Sequence, residues 1–225
     1  VTLSIANTGR IAALTGVMLV AVACGSPQPG PRISPPSHTS SATLEPSSRP
    51  SPATTKAVGA APENLRDTAW SNMPIPGDFC DIPGLIHFKG KQEATASSHT
   101  WGTVHIDRWD VVYGDIDGDR RDEAAVHIGC DTGGGTAAGQ IAYGAVVFRN
   151  VQGRLIALGT IKPQKEPSGV HCTLLAKIVM TAGKVTAHEK WYRPTDSNCC
   201  PTGTATTVWE VRNDQLVPGV PHILS

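Results

Sequence analysis

The sequence has little charge to deploy. Its 225 residues carry 19 Lys+Arg against 19 Asp+Glu, and only 17% of the chain is charged. A nucleic-acid binder needs a basic face and an anionic-lipid binder a polybasic cluster, so both classes are set aside. Aromatic residues are scarce as well, with three Phe and 5% aromatics in all. No apolar run reaches the roughly 20 residues of a membrane-spanning helix. No stretch repeats at a period of about 20–50 residues, which removes propellers and solenoids encoded in one chain. The G-x-S-x-G elbow, the S-x-x-K and H-E-x-x-H signatures, a phosphate-cradling loop and a dinucleotide fingerprint are all missing. What remains is rich in turn formers, with 23 Gly and 18 Pro, and this argues against a helical protein.

The first segment carries an export signal. Arg10 is the only charge before Cys24, and Ile11 to Ala23 is an apolar stretch of thirteen residues, too short to span a bilayer and the right length for a secretory h-region. It ends Val20-Ala21-Val22-Ala23-Cys24-Gly25. Small residues just ahead of a cysteine resemble a bacterial lipobox, which implies acylation of Cys24 and anchoring on the outer side of the cell membrane. Ala21-Val22-Ala23 also meets the A-x-A rule of ordinary signal peptidase, and both readings cut at the same bond. Residues 1–23 are therefore expected to be a signal peptide. Residues 24–62 hold nine of the prolines and almost no large apolar side chain, the composition of a disordered tether.

Residues 63–225 are expected to form one mainly β domain, an antiparallel sandwich or barrel-like sheet with a short N-terminal helix over Glu63–Asn72. Strands are predicted at 85–88, 100–106, 108–113, 123–130, 140–149, 155–161, 171–180, 184–192 and 204–212, where β-branched and aromatic residues run between turn signals. Asn150-Val151-Gln152-Gly153, Thr181-Ala182-Gly183 and Asn213-Asp214 are short enough to close hairpins.

Cys80, Cys130, Cys172, Cys199 and Cys200 are disulfide partners first in an exported chain. Cys80 is expected to bond Cys130, and one of the adjacent pair Cys199 and Cys200 to reach Cys172. A zinc site of His171, Cys172, Cys199 and Cys200 is the alternative, and it lacks the C-x-x-C spacing.

The most chemical segment is Gly114-Asp115-Ile116-Asp117-Gly118-Asp119-Arg120-Arg121-Asp122-Glu123. Carboxylates at alternate positions of a curled loop converge on one hard cation, and calcium takes six to eight oxygens. The segment resembles the calcium loops of FG-GAP and VCBS-type β repeats. That resemblance implies Asp115, Asp117, Asp119 and Glu123 as metal ligands and calcium as a possible cofactor, with Arg120 standing where those loops have Gly. The other reading is a metal-free loop, closed by its own backbone and by Arg120. A broader resemblance runs from Glu63 to Pro218, to the globular domain of secreted actinobacterial lipoproteins of uncharacterised function. It is carried by the Gly114–Glu123 loop, Cys130-Asp131-Thr132-Gly133-Gly134-Gly135, Gln140-Ile141-Ala142-Tyr143, Trp191-Tyr192 and the Asp196-Ser197-Asn198-Cys199-Cys200-Pro201 element, and it implies location and fold without naming a substrate.

Two functions follow as expectations. One is a non-enzymatic, lipid-anchored domain that binds or scaffolds an envelope protein or glycan. The other is an envelope hydrolase acting on cell-wall polymer, using paired carboxylates among Asp107, Asp110, Asp115 and Glu123. Trp101, Trp109, Trp191 and Trp209 are either a glycan-stacking groove or core filling in a domain short of Phe. His105, His127 and His188-Glu189 fall inside predicted strands, where structural roles prevail.

Overall fold

A computed structural model of the chain describes residues 57–133, 139–169 and 171–225. The signal segment, Cys24 and nearly all of the expected tether lie outside them. The described fold is mainly β, built of antiparallel sheets with a curled half-barrel.

Thirteen strands are present among the described residues: β1 (Ala57–Ala60), β2 (Ile75–Pro76), β3 (Leu85–Ile86), β4 (Glu93–Ser98), β5 (Gly102–Gly114), β6 (Glu123–Asp131), β7 (Gln140–Val151), β8 (Arg154–Ile161), β9 (Leu174–Thr181), β10 (Lys184–Trp191), β11 (Gly203–Arg212), β12 (Gln215–Pro218) and β13 (His222–Ile223). Strands β4 to β8 form a meander that β1 extends, in the order β1-β8-β7-β6-β5-β4. A second sheet runs β12-β11-β10-β9, with β13 also on β11, and β2 pairs with β3 as a separate ribbon. Tight turns link the meanders where the sequence places them. Asn213 and Asp214 both sit at positive φ, 51° and 61°, as a two-residue hairpin between right-twisted strands demands.

Because side chains alternate along a strand, the six-stranded sheet presents two apolar faces. Val104, Ile106, Ala124, Val126, Ile128, Val146, Phe148 and Leu155 point to one side. They pack there against Leu65, Ile75, Phe79, Ile82, Ile86 and Phe88 from the segment that precedes β4. On the other side Ala125, Ala145, Val147, Leu158 and Ile161 meet Ile178, Met180, Val185, Ala187 and Trp209 of the second sheet.

The covering segment has little regular structure, and polar anchors hold it down. Arg108 on β5 is 3% exposed. Its guanidinium donates to the carbonyls of Trp70 and Lys91 (the latter at 2.7 Å) and to Gln92 Oε1, and it lies 4.5 Å from the centre of the Phe88 ring. Burial draws its pKa below the usual arginine value. Trp70 Nε1 donates to the Tyr113 hydroxyl at 2.8 Å. Cys80 is bonded to Cys130 of β6, the pairing expected from the sequence.

Three differences from the sequence reading have physical causes. Glu63–Asn72 is two single-turn 3-10 helices, Leu65–Asp67 and Trp70–Asn72, instead of one helix. Leu65 and Trp70 are five apart, which places them on different faces of an α-helix, whereas two short turns direct both into the core. Ala57–Ala60, assigned to the tether, is an edge strand paired with β8. Its Ala-Val-Gly-Ala sequence offers one buried side chain, Val58, so backbone pairing carries it and composition does not reveal it. Strand β4 was not foreseen because Glu-Ala-Thr-Ala-Ser-Ser lacks the bulky residues that mark a strand.

Replacing Arg108 with Ala strips several buried carbonyl acceptors of their donor and is expected to cost about 3 kcal/mol of stability, measured by urea unfolding. Arg108→Lys recovers less than half of this, since an ammonium cannot reach the same fork of acceptors.

Candidate functional site

The acidic loop joins β5 to β6. Its curl is set by its own carboxylates. Asp115 accepts from the Gly118 amide at 2.7 Å and from the Arg120 amide at 3.0 Å. Asp117 accepts from Asp119 N at 3.1 Å, and Asp119 from Arg121 N at 2.7 Å. Gly118 and Arg120 take the positive φ values 84° and 69°. Arg120 thus occupies the left-handed position that glycine fills most easily, held by the bond from its amide to Asp115. The cations paired with the loop's carboxylates are Arg149 of β7, whose guanidinium is 3.7 Å from Asp117 and 2.8 Å from Asp214, and Arg66, 2.6 Å from Asp122.

Asp115, Asp117 and Glu123 each bring one oxygen within 4.8 Å of the others. Asp119, the fourth expected ligand, lies outside that trio. Glu123 is 2% exposed and accepts from the Ile116 amide at 2.9 Å. Burial, and then the charges of Asp117, Asp119 and Asp115, push its carboxyl up to about 7, against a partial offset from the Ile116 bond. A hard divalent cation suits this donor set. It would take one oxygen from each of the trio and remove the repulsion that raises Glu123.

The cysteines depart from expectation in one respect. Cys199 and Cys200 are bonded to each other, and Cys172 is a free thiol. The pairing of Cys172 with one of them is corrected accordingly. The turn that holds the pair is pinned independently, since Asp196 accepts from the amides of Arg193 and Thr202, both at 2.8 Å, and from the Thr202 hydroxyl. The zinc alternative falls too, because His171 is 3.2 Å from Asn198 Oδ1 and packs at a tilt against Tyr192, while both adjacent sulfurs are consumed.

The four tryptophans divide between the two roles. Trp209 is buried between the sheets, whereas Trp101 and Trp109 are 52% and 45% exposed. Trp109 and Tyr143 of β7 stack nearly parallel, 11° apart with centroids at 5.7 Å. They flank a hollow of about 230 Å³ also lined by Asp110, His127, Leu175 and Ala176. His127 Nε2 is buried without a partner, and burial lowers its pKa. Tyr143 is pushed up to about 12, first by burial.

The carboxylates named for hydrolysis are not brought together as a set. Asp115 and Glu123 bound the loop, while Asp107 lies eight residues back along β5, about 25 Å at strand rise. The acids acting on Asp107 are Asp131 and Glu93, which raise its pKa further after burial has done so. Glu189 of His188-Glu189 is a structural group: it is 1% exposed and accepts from Gln164 N, Lys165 N and the Thr207 hydroxyl.

Tyr143, Asp131 and Gly129 were not foreseen as members of the aromatic face. A signal existed in Gly129, the lone glycine in an otherwise filled β6, since glycine inside a strand marks a close approach. No protein-family model, curated protein or solved structure matches the chain.

The metal-free loop predicts a pH dependence. The folded carboxyl of Glu123 titrates at about 7 and the unfolded one near 4.5. Between those values the folded state holds a proton that the unfolded chain has lost, so stability falls as pH rises through that window. Glu123→Gln is expected to flatten this slope and to raise the melting temperature above neutral pH. A slope unchanged in that variant assigns the dependence to another group.

Proposed function

We propose that the protein is a lipid-anchored envelope protein, held on the outer side of the cell membrane by acylation of Cys24, whose single sandwich-like β domain binds or scaffolds another envelope component without catalysing a reaction. The segment Val20-Ala21-Val22-Ala23-Cys24-Gly25 carries the reading, because export and anchoring at one cysteine restrict every partner to the envelope. The proline-rich residues 24–62 supply the spacing that lifts a domain off a bilayer. Support for binding comes from the exposed Trp101 and Trp109, since large aromatics left in water mark contact surfaces. Calcium bound by Asp115, Asp117 and Glu123 braces the β5–β6 connection in this reading. A metal at that place sets the shape of a loop, and the aromatic face lies elsewhere.

The hydrolase reading retains one observation in its favour: burial, and then the charges of Asp131 and Glu93, raise the pKa of Asp107, one of the acids named for it. It requires release of reducing ends from purified cell wall, lost in Asp107→Asn.

Two experiments test the leading proposal. Cys24→Ser is expected to move the protein from the membrane fraction to the medium, and continued membrane retention with acylation elsewhere overturns the anchor. Millimolar calcium added to the metal-stripped protein is expected to raise its melting temperature, and Asp117→Ala to abolish that rise. An equal rise in the variant removes the loop as the calcium site.

A further inference from the structure

The two sheets are unequal, and the second covers only part of the first. Its core partners on the first sheet are Ala125, Ala145, Val147, Leu158 and Ile161, with Val112 at the far end of β5, and none comes from β4. Alternation fixes what the uncovered remainder displays. Ala94, Ala96, Val104, Ile106, Ile128, Cys130 and Ala142 face the opposite core, so Glu93, His105, Asp107, Gly129, Asp131 and Tyr143 share the open face. Pairing sets them side by side: Glu93 opposite Asp107, Asp107 opposite Gly129, Gly129 opposite Tyr143, and His105 opposite Asp131.

Trp109 lies down on this face. The β5–β6 register shifts between Arg108 and Val111, a bulge that re-aims the side chain, and any Cβ at Gly129 would run into the indole ring. The indole therefore rests on bare backbone and leans against Tyr143, with nearly half its surface left to solvent. Acids predominate on the strand-edge side of it. Asp131, Glu93 and the partly buried Asp107 gather there with Asp110 at the hollow, His105 is the one basic group acting on Asp107, and Lys162 and Lys165 lie with Glu166 on the other side of Tyr143.

Resting on the binding role proposed above, we propose that this face holds a glycan carrying free amines, an amino-sugar polymer in its cationic form. A pyranose ring offers a flat C–H face to the Trp109–Tyr143 wall. Its ammonium meets the Asp107, Asp131 and Glu93 carboxylates and the negative face of the indole. The hollow beside the wall, about 230 Å³, is smaller than a drug-sized pocket and accepts one ring at a time. Anionic glycans are rejected by like charge. A neutral glycan gains the wall but leaves the acids uncompensated, and a simple polyamine gains the acids but not the wall.

The full chain in neutral detergent micelles, titrated calorimetrically at low salt, separates these cases. The probes are the β-1,4 glucosamine hexamer below its amine pKa, the same hexamer fully N-acetylated, and spermine. The glucosamine hexamer is expected to bind about tenfold or more tightly than either comparator, with the margin over the acetylated form shrinking as salt screens the acids. Trp109→Ala is expected to lose hexamer binding while the folded state is retained, since the residue belongs to neither buried core cluster and any loss of its packing on Gly129 and Tyr143 is read separately by the melt. Asp107→Asn with Asp131→Asn is expected to erase the preference for the free amine. Equal binding of the acetylated hexamer, equal binding of spermine, unchanged affinity in Trp109→Ala, or no binding by either hexamer each overturns the proposal. None of these results bears on the anchor, which fractionation of Cys24→Ser reads separately.

Discussion

A sheet with apolar side chains on both faces must be covered twice, and this constraint organises the domain. Two meanders of four and five strands satisfy it on one side by packing face to face around Ile161, Val147, Val185 and Trp209. On the other side the cover is a run of short turns and a two-stranded ribbon, closed by local backbone bonds such as Met73 N to the Trp70 carbonyl and Gly77 N to the Gly84 carbonyl. Its apolar contacts, Ile75, Phe79, Ile86 and Phe88, supply the burial. Its register comes from directed bonds: the Arg108 fork, Trp70 to Tyr113, the Asn150 amide to the Pro62 carbonyl at 2.6 Å, and the Cys80–Cys130 link. A disulfide closing a 50-residue separation acts mainly by restricting the unfolded chain, so it favours this cover whatever the details of its turns.

Buried charge shows which positions the fold has committed. Arg108 is surrounded by carbonyls and an aromatic ring, and no carboxylate joins it, so its charge is met by dipoles. Glu189 is the mirror case. Three donors converge on it from the 162–165 connection and from β11, tying a proline-containing loop to the second sheet. Both groups are fully answered by the protein. Glu123 has a single amide donor and three neighbouring acids, and burial, followed by the charges of those acids, raises its carboxyl. The difference separates carboxylates that finish the structure from one that still gains by a counter-charge.

The sequence showed the strands wherever β-branched residues alternate, as in Glu123–Cys130 and Leu155–Ile161, and it showed the hairpins wherever Asn, Asp and Gly permit positive φ. It failed where pairing alone makes a strand. Strand β4 is a small-residue edge next to β5, and β1 is four residues docked on β8, so neither advertises itself by side-chain pattern. The acidic loop was visible because its chemistry is contiguous in the chain. The aromatic face was not, because its members come from β4, β5, β6 and β7 and meet only through register. Cysteine pairing lay between these extremes: Cys80 and Cys130 are in elements the fold brings together, whereas the adjacent pair depends on a local turn that Asp196 organises.

The exposed tryptophan follows from the same geometry that builds the core. A large indole on a strand usually finds cover from an opposing sheet, and Trp209 does so at the centre of the sandwich. Trp109 sits on the same side of the first sheet at the margin of the second, where only Leu175 and Ala176 of β9 line the hollow beside it and no core partner comes from β4. The chain does not tuck the ring away. It bends β5 by a bulge and leaves Gly129 without a side chain, and the distal edge of the indole fills the space this creates. The second sheet repeats the device, with Trp191 lying over Gly203 on the paired strand, yet there Lys165 stands 4.5 Å from the ring centre and Arg193 5.8 Å. One tryptophan is therefore capped by the protein's own cations. The other has Asp110 at its hollow and, among the described residues, no such cap, so in the proposed complex a ligand's cation would stand at Trp109 where Lys165 and Arg193 stand at Trp191.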